Sequence, residues 1–163
     1  TFSWRCTRYF SAPAPAGKNK AFRALRLKIF DVKTSDMRYY LTWLFGHYDL
    51  NFERLVEKNS LSWSQIKILA DEPLCTIGSH TVTHAALDCI DTSQTLAELA
   101  ESKKIIERQI GKPVVHLAYP YGRYTEQVVR QVLQIGYRTA VLANGGYVRR
   151  GMSVFKIPRI FVK

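Results

Sequence analysis

The sequence predicts an α/β fold. In the second half of the chain, short apolar runs alternate with longer segments of helical period, in the order strand, helix, strand, helix, strand. In this half the helical segments open on Asp or Thr and close on Gly, so their limits are written locally. A length of 163 residues with 47% hydrophobic and 12% aromatic content suits one ordered domain with a real core.

Residues 1–20 have no clear period, and the Pro- and Gly-containing stretch 11–17 is expected as a loop or linker. Residues 21–30 read as a helix, with Phe22, Leu25, Leu27, Ile29 and Phe30 set among Arg23, Arg26 and Lys28. Ser35 or Asp36 can cap a second helix that carries Tyr39, Tyr40, Trp43, Leu44 and Phe45 and ends at Gly46. Ser62-Trp63-Ser64-Gln65 is a capping box, with a hydroxyl at the cap and Gln three residues on. It opens a short helix bearing Ile66 and Leu69, which Asp71-Glu72-Pro73 ends. Residues 74–77 are expected as a strand leading to His80, with Cys75 as a small core residue.

Asp91 and Gln94 repeat the capping pattern. Their helix carries Leu96, Leu99, Ile106 and Ile110 and stops at Gly111 before Pro113. Residues 113–119 read as the next strand. Thr125 caps a helix bearing Val128, Val129, Val132 and Leu133, which ends at Gly136. Residues 137–142 and 154–162 read as further strands.

The net charge is +11 and unevenly spread. Residues 1–40 hold nine Lys/Arg against two acids, residues 41–102 three against nine, and residues 103–163 twelve against two. Such a protein has some affinity for polyanions. The charges are scattered, without long blocks or aromatic interleaving, so a solvated surface is the expectation and nucleic acid is not the expected partner. No run of about 18 apolar residues occurs, so no membrane span is expected. Cys6, Cys75 and Cys89 are an odd set with no Cys-x-x-Cys spacing, which argues against a disulfide scaffold or a structural zinc site. With no signal-peptide pattern at Thr1-Phe2-Ser3-Trp4, a reducing, cytoplasmic setting is expected.

The segment Ile77-Gly78-Ser79-His80-Thr81-Val82-Thr83-His84 carries the chemistry. Neutral imidazoles are common ligands of divalent transition metals, zinc foremost here. Spaced by four residues, His80 and His84 would share one face of a helical turn and could reach one ion. In α/β folds, chemistry collects where strands end. Read by itself, the pair could equally be two solvated histidines at a helix start, and Tyr119-Pro120-Tyr121-Gly122 an ordinary tight turn.

The order of these pieces resembles the polysaccharide deacetylases of carbohydrate esterase family four, the nodulation-protein-B homology domain. The resemblance rests on the paired-histidine segment and on the Pro120-Tyr121-Gly122 segment at the end of the next strand, and spans roughly residues 61–159. It implies a distorted (β/α) barrel with a metal at the C-terminal ends of the strands. The implied reaction is removal of N- or O-acetyl groups from chitin-like, peptidoglycan or other acetylated oligo- or polysaccharides. His80 and His84 would ligate the divalent metal, zinc by preference. The backbone N–H of Tyr121 would hold the developing oxyanion, and Tyr119, Pro120, Tyr121 and Gly122 would form the substrate-side loop. On this reading residues 1–60 are a divergent, mainly helical segment and residues 61–163 the deacetylase-like α/β region.

The chain departs from the family at its first motif, a strand ending in Thr-Phe-Asp-Asp that supplies a general base and the third metal ligand. Here Thr1-Phe2 is followed by Ser3-Trp4, and no Asp-Asp pair occurs. Asp31, Asp36 and Asp49 read as caps or surface charges. No histidine follows His116, which lies within a strand, so the general acid is also unassigned. The expectation is an N-terminally truncated barrel with an exposed strand edge, a route to homo-oligomers. Two alternatives stand beside it: a noncatalytic carbohydrate-binding remnant using Trp43, Trp63, Tyr119 and Tyr121 as stacking surfaces, and a basic nucleic-acid-binding protein.

Overall fold

A computed structural model describes Arg23 and residues 34–47, 51–143 and 145–160. The expected loop over 11–17 and the positions of Thr1-Phe2, Asp31 and Asp49 lie outside the described residues. So does the helix expected over 21–30, apart from Arg23, which is helical. The chain divides into two compact units, Thr1–Lys58 and Asn59–Lys163.

In the first unit, helix α1 (Thr34–His47) has Asp36 in its first turn, where the helix dipole favours a negative charge. Helix α2 (Phe52–Asn59) was not foreseen from the sequence. It is capped by Asn51, whose Oδ1 accepts from the amide of Arg54 at 2.8 Å, and carries Glu53 in its first turn and Lys58 in its last.

The second unit is built on four parallel segments. Helix α3 (Trp63–Asp71) opens on the expected capping box: Ser62 Oγ accepts from the Gln65 amide, and Gln65 Oε1 accepts from the Ser62 amide at 2.8 Å. Helix α4 (Thr92–Ile110) is capped by Asp91 and closes on Gly111 at φ 70°. Strand β1 (His116–Ala118) follows, then a single 3₁₀ turn at Pro120–Gly122. Helix α5 (Glu126–Gln134) is capped by Thr125, and strand β2 (Thr139–Val141) completes the ladder.

β1 and β2 pair in parallel, with Leu117 opposite Ala140. Ser79 bridges in parallel to Leu117 on one side, and Ile157 to Val141 on the other. The spatial order therefore follows chain order, Ser79, β1, β2, Ile157, with α4 in the first connection and α5 in the second. α4 packs against both α3 and α5. Leu87, Leu99, Val114, Leu117, Val132 and Ala140 are buried together between these helices and the strands.

The strands are shorter than the sequence suggests. The run 74–77 makes no ladder: the turn that closes α3 continues through a hydrogen bond from the Cys75 amide to the carbonyl of Glu72, leaving Leu74 fully exposed and Cys75 half-buried. Pairing begins only at Ser79. Over the described part of the strand expected at 154–162, residues 154–160, pairing is the bridge at Ile157, and a turn closes from the Lys156 amide to the Ser153 carbonyl just before it. Among the described residues, no helix is long and apolar enough to cross a membrane.

Candidate functional site

His80 directly follows the one residue of its segment that pairs. Ser79 donates its amide to the carbonyl of His116 at 2.8 Å and accepts from the amide of Ala118 at 2.9 Å. Its buried hydroxyl meets that of Ser102 on α4 at 2.7 Å. Gly78 lets the segment approach this closely, since a Cβ there would stand 3.2 Å from the His116 carbonyl oxygen. His80 thus emerges at the C-terminal end of a parallel segment.

The His80 ring is oriented by the neighbouring strand, its Nδ1 lying 2.6 Å from the carbonyl oxygen of Ala118. A carbonyl can only accept, so Nδ1 carries a proton, and in the neutral ring Nε2 is the nitrogen that keeps its lone pair. This is the arrangement by which a ligating histidine is held to one tautomer.

The histidines do not share a helical turn. Thr81 and His84 have φ values of 68° and 59°, so the chain reverses through left-handed backbone between them. The rings still converge, with centroids 4.6 Å apart at an interplanar angle of 79°. Burial, and after it the nearness of the His80 charge, holds the His84 pKa below the ordinary value of 6.5. Both effects favour the neutral ring that a metal requires.

Tyr121 completes the group. Its ring lies 4.6 Å from that of His84, edge to face at 83°. It projects from the turn after β1, closed by hydrogen bonds from the Gly122 amide to the Tyr119 carbonyl and from the Arg123 amide to that of Pro120. Tyr121 and Gly122 are both left-handed, at φ 58° and 68°. Only glycine suits the second position, because a Cβ there would lie 2.6 Å from the amide nitrogen of Ala143.

The rest of this turn is structural. Tyr119 is fully buried and stacks on Tyr124 at 5.4 Å, and Pro120 and Gly122 are buried too. Burial, followed by the nearby Tyr124 and Glu126, pushes the Tyr119 hydroxyl well above its usual pKa. Of the four residues expected to form the substrate-side loop, Tyr119, Pro120 and Gly122 are buried and shape the turn, and Tyr121 alone is exposed.

His116 begins β1 and bonds through Nδ1 to Thr139 Oγ1 at 2.7 Å, at the opposite strand end from His80. Trp63 is exposed at the start of α3, while Trp43 and Asp36 belong to the first unit. Among the described residues, no group of three His, Cys, Asp or Glu side chains converges on a metal position. The two imidazoles are of a donor type that suits zinc. The sequence reading missed the Ala118 carbonyl and Ser102. Both act through strand and helix packing, for which residue spacing carries no signal.

Residues 38–140 match the family profile described as polysaccharide deacetylase. The match starts earlier than the motif-bearing span 61–159 and includes α2. A Bacillus subtilis protein assigned to the polysaccharide deacetylases is 29% identical over 105 residues, which are 64% of this chain and 37% of the relative. The Streptococcus pyogenes deacetylase PplD, solved in complex with acetate, superposes with a TM-score of 0.59 at 25% identity, covering 65% of this chain and 48% of that one. A polysaccharide deacetylase from Bacillus cereus gives a TM-score of 0.56 at 33% identity, covering 62% and 32%. The chain thus spans about half or less of the length of these relatives.

Proposed function

This chain belongs to the polysaccharide deacetylase family, and from that premise we propose that it carries the histidine half of a metal-dependent site that hydrolyses N- or O-acetyl groups on an acetylated sugar. For an N-acetyl group the bond broken is the carbon–nitrogen amide bond. One observation carries the reading: the His84 ring meets those of His80 and Tyr121, each 4.6 Å away, where two neighbouring parallel segments end.

His80 and His84 would hold the ion, zinc by preference. A divalent ion in such a site supplies Lewis acidity toward an acyl oxygen and acidifies a bound water. The chain's own contribution is orientation. The Ala118 carbonyl fixes the His80 tautomer, and the left-handed turn at Tyr121 and Gly122 presents the Tyr121 amide as an oxyanion donor. The acetate in the streptococcal structure supports this chemistry, since acetate is the product of deacetylation. The parallel segments, in chain order, are read as an arc of a distorted (β/α) barrel.

The shortage of a third ligand among the described residues favours a second reading, a sugar-binding remnant without turnover. Zinc titration by calorimetry, on wild type and on His80→Ala/His84→Ala, tests the ligand assignment. Equal uptake by both would sink it. Acetate release from chitin oligomers then separates the readings: zinc uptake with release supports the hydrolase, and zinc uptake without release supports the remnant.

A further inference from the structure

We propose that Glu98 is the positioning residue of the histidine pair, holding the loop that presents His84. The loop turns through two left-handed residues, Thr81 and His84, so its amides cannot be satisfied by helix or ladder. Successive amides beside left-handed backbone form a concavity that attracts an anion. Here Glu98 fills it from α4. Its Oε2 accepts from the amides of Val82 at 2.7 Å and Thr83 at 2.9 Å, and its Oε1 accepts from the Thr83 hydroxyl at 2.6 Å. One carboxylate thus satisfies three donors in the two residues just before His84.

The tether gains direction from its neighbours. Glu98 precedes Leu99, which is fully buried, so its backbone is anchored in the core. Ser102, one turn further on the same helix face, holds Ser79. The backbone is therefore fixed to α4 on both sides of His80, by Ser102 before it and by Glu98 after it. The His80 ring has a separate support in the Ala118 carbonyl, whereas His84 depends on the loop. Loss of Glu98 should release His84 and leave the orientation of His80 intact.

That asymmetry is the test, made on Glu98→Ala and Glu98→Gln of the full chain. Without metal, the readouts are amide hydrogen exchange at Val82 and Thr83, ring contacts between His80 and His84 by nuclear Overhauser effects, and the ¹⁵N signature of the His80 tautomer. In Glu98→Ala, exchange at both amides rises at least about tenfold and the ring contact disappears, while the His80 signature stays. Wild-type exchange with an intact ring contact overturns the proposal. Should the alanine variant fail to fold, Glu98→Gln decides, because it offers one carbonyl oxygen where Glu98 uses two. A partial loosening supports the proposal, and wild-type behaviour at both amides and rings overturns it.

A cobalt titration adds a second arm, which rests on the reading of the pair as metal ligands. Cobalt affinity falls about ten- to a hundredfold in Glu98→Ala, the range for outer-shell supports. Unchanged cobalt affinity in a variant whose loop has loosened overturns the positioning role. If the loop loosens as expected and wild type itself takes up no cobalt, the positioning of His84 stands and the metal reading fails.

Discussion

The Nδ1–H of His80 points at the carbonyl of Ala118 across 2.6 Å, and this bond decides which nitrogen of the ring can act. A backbone carbonyl has no proton to give, so the neutral ring is held as the Nδ1–H tautomer. Free imidazole side chains prefer the other form only slightly, and a bond of this kind, worth about 1 kcal/mol net, is enough to invert the preference. The ¹⁵N shifts of His80, recorded above the histidine titration range, should show a protonated Nδ1 and an unprotonated Nε2. A dominant Nε2–H form would remove the argument that Nε2 is prepared for a ligand.

Gly122 and Gly111 offer a controlled comparison. Both have φ near 70°, so alanine at either position pays the left-handed penalty of about 1–2 kcal/mol. Around Gly111 an added Cβ meets nothing within 4 Å, whereas at Gly122 it would stand 2.6 Å from the Ala143 amide nitrogen. Overpacking of that kind costs about 1–3 kcal/mol more. In urea unfolding, Gly122→Ala should therefore lose about 2–5 kcal/mol and Gly111→Ala about 1–2. Equal losses would mean that the turn after β1 does not press on the chain beyond β2.

What the sequence made legible here is what is settled within a few residues. The caps at Ser62, Asp91 and Thr125 and the stop at Gly111 all form, because each partner lies three or four residues away. The strands were overdrawn because an apolar run by itself fixes neither pairing nor burial: Leu117 and Ala140 mark the ladder, but Leu74 in an equally apolar run is fully exposed. The histidine spacing was readable, while its geometry was not. The loop that carries left-handed backbone at Thr81 and His84 bonds to Glu98, fifteen residues beyond Thr83. Tyr119 and Tyr121 look alike in sequence, and only packing sends one into the core and the other to the surface.

Tyr119 gives a test of that division. Its hydroxyl is buried and has no hydrogen-bond partner among the described residues. A buried polar group without a partner carries an uncompensated desolvation cost of about 1–3 kcal/mol. Tyr119→Phe keeps the ring and its stack on Tyr124 while removing that cost. Its thermal midpoint should equal or exceed the wild-type value, and zinc uptake should be unchanged. A loss of about 1 kcal/mol or more would show that the hydroxyl makes a stabilising bond.

Glu107 sets a pH dependence whose sign follows from its partners. Its Oε1 accepts from Lys103 Nζ at 2.8 Å and from the amide of Val114 at 2.9 Å, joining the last turns of α4 to the approach to β1. Lys103 also donates to the Val114 carbonyl, so the ion pair and the chain entering the sheet form one cluster. The Lys103 hydrogen bond first, and the Val114 amide next, hold the Glu107 carboxyl below its usual pKa of 4.5, against the opposing effect of burial. A folded-state pKa below the unfolded one means that the unfolded chain takes up the proton more readily. The stabilisation is therefore complete above pH 4.5 and is lost as the pH falls through the lowered folded value. Asp71, held low by Lys112, and Asp91, held low by the Gln94 amide, share this acid window, so the wild-type slope alone does not isolate Glu107. The difference between wild type and Glu107→Gln does. At neutral pH the variant should be less stable by roughly 1 kcal/mol, a modest value because the pair is partly solvated. Between about pH 5 and pH 2 the two stabilities should converge, as wild type gives up the advantage that the variant never had. A gap that stays constant across this range would show that the carboxylate charge contributes nothing to joining α4 and β1.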